Sequence, residues 1–333
     1  MTTTPSYPLL ISWLATLVVL LFIASLLVGP AGIGIWTSLA ALFSGEEDVA
    51  SIVMQEIRLP RAILGAAIGA TLGLSGAALQ GYLRNPLAEP GLLGISATAS
   101  LGAVIAIYTG LSAAFPLALP LMALTGAVIA VFLVRLLAGG SAATITLILA
   151  GVAVTSFAGA LTSLVLNLSP NPFAAVEIVF WMLGSLKDRS MTHVWLSVPF
   201  MLIGWAMLAQ VGRALDALTL GEAAAASLGF RLAGVQTLVV LGTASSVGAA
   251  TAVAGSIGFV GLIVPHVLRP LVGAHPSRLL AASALGGAAV VLAADIAVRV
   301  IAPERDLKLG VLTALVGAPF FLWLIFQTRR ELP

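Results

Sequence analysis

Residues able to do chemistry are few in this chain, and their spacing argues against most of it. The three histidines, His193, His266 and His275, stand far apart, and none belongs to an HExxH arrangement, so a metallopeptidase site is missing. There are only two lysines, Lys187 and Lys308, and neither follows a glycine. Without a GxxxxGK(S/T) loop the chain has no cradle for nucleotide phosphates and should not hydrolyse ATP itself. A GxSxG elbow is also lacking, and with no cysteine there is no disulfide framework, Fe–S cluster or thiolate zinc site. Asp295 is the most deeply placed acid in an apolar segment, and its i+4 neighbour is Arg299. An ionisable residue there is a functional candidate. The same spacing suits an intrahelical ion pair, and both readings stand.

The elements that must position these residues are membrane helices. Of 333 residues, 60% are hydrophobic and 8% charged, against roughly 25% charged in an ordinary soluble protein. A spanning helix uses about 20 residues, so the apolar content suffices for about ten. Continuous apolar runs fall at roughly 9–28, 60–82, 92–110, 113–136, 143–166, 191–212, 234–254, 258–273, 279–301 and 309–327. Their continuity excludes a β-barrel, which alternates, and lipid leaves helices as the remaining way to satisfy the backbone. The longest polar gaps, 29–59, 167–190 and 213–233, hide no soluble domain, so 1–333 reads as a single transmembrane domain. The first basic residue is Arg58; with no positive segment before it, 9–28 is expected to be a retained span.

The fold class expected is an all-α membrane protein of about ten helices in a compact bundle. Gly65, Gly69 and Gly73 lie four apart on one face, followed by Gly76, and Ser283 with Gly287 repeats the pattern. Small residues at that spacing let helix backbones approach closely in lipid. The scattered basic residues offer no stripe for nucleic acid. Placing both termini in the cytoplasm puts eight Lys and Arg inside and seven outside, with the Glu46-Glu47-Asp48 run outside. Charge alone leaves the orientation open.

Three stretches go beyond composition. One runs from Arg58-Leu-Pro-Arg61 through the glycine face to Leu79-Gln-Gly-Tyr-Leu-Arg-Asn85-Pro-Leu-Ala-Glu-Pro90-Gly-Leu-Leu-Gly94-Ile-Ser. Another is Leu220-Gly221-Glu222-Ala223-Ala224-Ala225-Ala-Ser-Leu228-Gly229. The third is Gly255-Ser-Ile-Gly-Phe-Val-Gly-Leu-Ile-Val-Pro265-His266-Val-Leu-Arg269, continued by Gly310 to Phe321. Together they closely resemble the permease subunits of type II ABC importers, which carry iron–siderophore chelates, heme and cobalamin. The resemblance covers Arg58 to the C-terminus. It implies a ten-helix subunit of the bacterial inner membrane with both termini cytoplasmic. It also implies a second copy of the chain, two cytoplasmic ATPases carrying ATP and Mg, and a periplasmic binding protein, while this chain binds no cofactor of its own. One departure is Asp306-Leu307-Lys308, where the family usually reads Glu-Leu-Pro.

Residue by residue, the resemblance assigns Arg58, Arg61 and Arg299 to docking of the binding protein, and 220–229 to contact with the ATPase. It assigns Ala143-Thr144-Ile145-Thr146, which opens the fifth helix, to the cytoplasmic gate. Interfacial anchoring is the competing reading of the three arginines, and a solvated connector that of 220–229. The residues themselves predict a tight reversal at Asn85-Pro86 and Glu89-Pro90-Gly91, and a break or kink at Pro265 with His266 and Arg269 as a polar lock or, in the competing reading, a ligand site. They also predict a helix of about two turns in 220–229, with Glu222 in its first turn and Gly229 at its C-cap. Alternatives to an importer subunit are a proton-coupled transporter acting alone, or an intramembrane enzyme, for which no nucleophile and base pair stands out.

Overall fold

The computed structural model describes residues 6–29, 32–44, 48–115, 117–139, 144–169, 171–302 and 306–331. Glu46, Glu47, Ala143 and Arg305 lie outside the described residues, as do the side chains of Thr144, Arg329 and Arg330. Ten helices coincide with the ten apolar runs: α1 Tyr7–Leu27, α2 Leu59–Tyr82, α3 Ile95–Tyr108, α4 Ala118–Ala138, α5 Thr144–Asn167, α6 Met191–Ala209, α7 Leu232–Ala254, α8 Val260–Leu268, α9 Pro276–Ile301 and α10 Leu309–Glu331. No strand occurs among the described residues. Seven helices are long and apolar enough to cross a membrane. At 1.5 Å per residue, α3 with 14 residues reaches about 21 Å and α8 with nine about 14 Å. Both fall short of the bilayer's hydrocarbon thickness, so the runs 92–110 and 258–273 are not full-length helices.

Two polar gaps hold longer helices that the apolar pattern did not announce. Pro172–Met182 forms an 11-residue helix whose first turn is capped by Asn171, the side-chain oxygen accepting the Phe173 N–H at 3.0 Å. Its apolar run is short and carries Glu177, which is why it reads as connector. The other begins at Val49 and runs unbroken into α2. Within it Val53–Arg58 is π-helical, and Leu59 N–H reaches back five residues to the Met54 carbonyl. Pro60 explains this widening: it has no N–H for the Glu56 carbonyl, and its ring crowds that carbonyl in an α-helical ladder.

The core is a set of backbone-to-backbone contacts through small residues. α9 packs most extensively on α2, and there a Cβ on Gly69 would overlap the Gly287 carbonyl, one on Gly73 the Ser283 carbonyl, and one on Gly287 the Gly69 carbonyl. Gly76 turns to α8, where a Cβ would strike the Gly261 carbonyl. Gly102 and Gly126 do the same between α3 and α4, and Gly204 between α6 and α7. Since lipid gives apolar helices no reason to leave it, close packing must hold the bundle together. Buried hydroxyls add polar ties: Trp205 Nε1–H donates to Thr71 Oγ1 at 2.9 Å, and Ser75 and Ser246 meet at 3.4 Å.

Pro265 does not end α8. It removes the donor for the Gly261 carbonyl, and Gln80 from α2 supplies a replacement: its amide donates to the Gly261 and Leu262 carbonyls at 3.4 and 3.2 Å. Arg269 fixes the amide by donating to Gln80 Oε1 at 2.6 Å. The polar lock expected of His266 and Arg269 is thus Gln80 and Arg269, while His266 packs edge-on against Phe320.

Replacing Gly73 with Ala is expected to destabilise the fold by about 1–3 kcal/mol, because two helix backbones must separate. Gly234, where a Cβ meets nothing closer than Arg231 Cβ at 3.9 Å, serves as control, and Gly234→Ala should be neutral or stabilising. Thermal unfolding of both variants in the same detergent checks this; equal midpoints would refute the packing account.

Candidate functional site

The two ends of the bundle carry different chemistry. At one end α1 finishes and α2 and α9 bring their arginines to it. A helix leaves its last four carbonyls unpaired, and here arginines take them. Arg58 Nη1–H donates to the Leu26 and Leu27 carbonyls at 2.9 and 3.0 Å. Arg299 Nη1–H donates to the Ser25 and Val28 carbonyls at 2.8 Å each, and its Nη2–H to Ser25 Oγ at 2.7 Å. Two cations at a helix C-terminus also oppose its negative dipole end.

Asp295 holds the cluster together. It is 1% exposed and accepts two hydrogen bonds from Arg61 Nε–H, at 3.0 and 3.1 Å, and one from Arg61 Nη2–H at 2.8 Å. Arg299 Nη2 lies 3.0 Å from its other oxygen. The i+4 pair expected from sequence is present, and the bidentate Arg61 contact joins it. So the structure brings Arg58, Arg61 and Arg299 into one site, with Arg58 only 4% exposed and Arg61 the most accessible of the two that pair with Asp295. Near this end Lys308 pairs with Asp306, lies 5.3 Å from the centre of the Phe180 ring, and shares Asp306 with Lys187 at 3.9 Å. The ammonium of Lys308 and hydrogen bonding to it hold the Asp306 carboxyl below the usual carboxylate range. The departure at Asp306-Leu307-Lys308 therefore builds an ionic turn leading into α10.

At the other end lies the segment between α6 and α7. Helix Glu222–Ser227 starts at Gly221, whose φ is +103°, and carries Glu222 in its first turn. It stops in a Schellman motif: Phe230 N–H reaches the Ala225 carbonyl, and Gly229 N–H, at φ +90°, reaches that of Ala226. Ala225 is fully buried, and Ala224 is half-buried. Ala223 points out with Leu220, 71% exposed, and Leu228, 62% exposed. Glu222 pairs with Arg84 at 3.0 Å, tying this helix to the end of α2. The preceding helix, Gly212–Leu218, offers Asp216, whose Oδ1 accepts the Ser277 N–H at the start of α9. Tyr7 at the start of α1 meets Arg278 here too.

Between the ends lies a cavity of about 720 Å³. Ser96 and Ser100 of α3 line it with Thr155, Ser156, Thr162 and Ser163 of α5, and Glu89 stands at its edge. Burial pushes the Glu89 carboxyl up, with a hydrogen bond from the Phe259 backbone acting against that. The stripe at 155, 156, 159, 162 and 163 has helical period within an apolar run, a legible signal not used above. At the start of α5, Ile145 is 71% exposed and Thr146 half-buried. The histidines are structural: His193 Nδ1 caps α6 through Ser190, and His275 holds the N-cap position of α9. No group of three potential metal ligands occurs among the described residues.

Comparison with known proteins places this arrangement. The model of the FecCD transport family matches residues 17–327. The cobalamin import system permease protein BtuC of Halobacterium salinarum is 40% identical over 289 residues, 86% of this chain and 76% of that protein. The Fe(3+) dicitrate transport system permease protein FecD of Escherichia coli K12 is 36% identical over 278 residues, 83% of this chain and 86% of that one. A solved metal-chelate type ABC transporter in an inward-facing conformation superposes with a TM-score of 0.85 at 32% identity, covering 96% of this chain and 99% of that one. With its apolar helical bundle and no nucleotide loop, the chain belongs to the FecCD transport family and is the multi-pass permease subunit of an ABC importer.

Proposed function

We propose that the chain moves a metal chelate of the iron–siderophore, heme or cobalamin class across the bacterial inner membrane, as one half of a homodimer. The observation that carries this is the hydroxyl-lined cavity on α3 and α5, open on one side, in a chain related to permeases named for cobalamin and ferric dicitrate. A second copy facing it would complete a passage whose walls offer hydroxyls to a polar chelate, with the Glu89 carboxyl at its edge. Two ATPases dock on the 220–229 end, which is cytoplasmic, and a periplasmic binding protein docks on the arginine end. The start of α1 shares the 220–229 end, which supports ten passages of the chain with both termini in the cytoplasm. Thr144, Ile145 and Thr146 at the start of α5 form the gate.

The Leu220 and Leu228 side chains, exposed on a helix too short to stand alone, support the ATPase contact. Arg in place of Ala223 buries an unpaired charge in that contact without touching the inward Ala225. Ala223→Arg should insert and dimerise normally, yet lose ATPase co-purification and at least 10-fold in uptake. Unchanged uptake would remove the segment from the coupling role.

Docking at Arg61 has a test that spares the fold. Removing one partner of a buried ion pair is costly when it leaves the other unpaired, but Asp295 also pairs with Arg299 at 3.0 Å, so loss of Arg61 leaves that carboxylate compensated. Arg61→Gln should therefore keep its unfolding temperature to within a few degrees but bind the binding protein at least 10-fold more weakly. Asp295→Asn, which leaves both arginines without a counter-ion, should lower the unfolding temperature. Retained affinity in Arg61→Gln would leave the cluster as a cap on α1 only.

Narrowing the cavity tests the passage. A Cβ at Gly159 meets nothing within 4 Å, so Gly159→Leu fits within one subunit and projects into the cavity. Uptake of the chelate should fall several-fold while basal ATP hydrolysis of the assembled transporter persists. Full uptake would place the passage elsewhere.

A further inference from the structure

A second cavity, of about 810 Å³, lies on the outside of the bundle between α1, α2, α6 and α9. Its walls are Phe22, Ile63, Leu74, Trp205, Leu285 and the exposed Ala281, and its floor is hollowed by alanines, Ala66 and Ala70 among them. All four helices have membrane-spanning length and composition, so hydrocarbon surrounds the groove. From Ser277, at the Arg213 end, to Ala288 it follows α9 for 11 residues, about 16 Å at 1.5 Å per residue. That equals roughly one leaflet of a 30 Å hydrocarbon core.

One end of the groove is apolar, and the other closes on Gly212, Arg213 and Ser277. Arg213 is exposed, and no acid pairs with it among the described residues. Asp216, one turn further along the same helix, is engaged by the Ser277 N–H at 2.9 Å. Arg278 adds a second cation at this end, 5.4 Å from the centre of the Tyr7 ring.

An apolar channel of leaflet depth that ends on an unpaired guanidinium matches one molecule type. We propose that this groove is a binding site for an anionic phospholipid of the leaflet on the 220–229 side, one acyl chain lying along α9 and the phosphate on Arg213. Arg suits the phosphate because its planar fork donates two parallel hydrogen bonds. The wall residues supply no hydrogen bond to a chain, so selectivity rests on the head group.

The full-length chain, reconstituted in nanodiscs of equal phosphatidylglycerol and phosphatidylcholine and released for native mass spectrometry, tests this. The wild type should retain phosphatidylglycerol several-fold over phosphatidylcholine. Arg213→Gln should abolish that preference and Arg213→Lys keep most of it, while Ala281→Phe, which fills the groove from its exposed wall, should lower retention of both lipids. No preference in the wild type overturns the proposal, and so does a preference that survives both Arg213→Gln and Ala281→Phe. Cross-linking of Ala281→Cys to a second copy gives the groove to a protein contact and also overturns it. So does loss of ATPase co-purification in Ala281→Phe with lipid retention unchanged.

Discussion

Every backbone carbonyl that leaves a helical ladder inside this bundle must find a donor within the protein, because hydrocarbon supplies none. Gln80, Arg58 and Arg299 answer that constraint. Pro265 frees the Gly261 carbonyl, and Gln80 reaches across from α2 to take it. The end of α1 presents its last carbonyls, and Arg58 and Arg299 take those. The guanidiniums are in turn buried charges, so Asp295 stands beside Arg61 and Arg299 as a counter-ion. Removing Asp295 would leave both guanidiniums without a counter-ion in a low-dielectric interior.

The same constraint shapes the division of labour between the ends. Close packing through Gly69, Gly73 and Gly76 makes α2, α8 and α9 a rigid centre. The arginine cluster and the 220–229 segment lie at its two ends. At one, the arginine cluster serves as a helix cap and also concentrates positive charge. At the other, a six-residue helix is held by Ala225 and by the Arg84–Glu222 pair while the flanking Leu220 and Leu228 face out. A stiff bundle between two such faces is a suitable part for passing on a conformational change, since packed interiors transmit displacement instead of absorbing it. An ion-paired Asp295 is ill suited to carry protons alone, which fits an importer powered from outside the chain.

Much of this was legible in the residues. The ten apolar runs each became a helix, because composition alone dictates the solvent and the solvent dictates helices. Gly229 at the end of the 220–229 helix and the turn at Asn85 follow from local backbone preferences, and both are present. The absence of a phosphate loop followed from counting lysines. Lengths were harder: α3 and α8 came out short, since a run of apolar residues does not say where a Pro-Gly turn or a left-handed Phe259, at φ +68°, will delay the start of the helix.

What the sequence determined by itself was class, solvent, element order and the small-residue faces, all set by neighbours within a turn or two along the chain. Partners across the bundle were decided only by the tertiary structure. Nothing in the spacing of Gln80 and Pro265, of Arg61 and Asp295, or of Arg84 and Glu222 links them, for they are 185, 234 and 138 positions apart. Their pairing depends on which helices meet and at what height, and that is settled by the fit of backbones against one another. The cavity on α3 and α5 and the groove ending at Arg213 belong to the same category, because a hollow is a property of several helices at once.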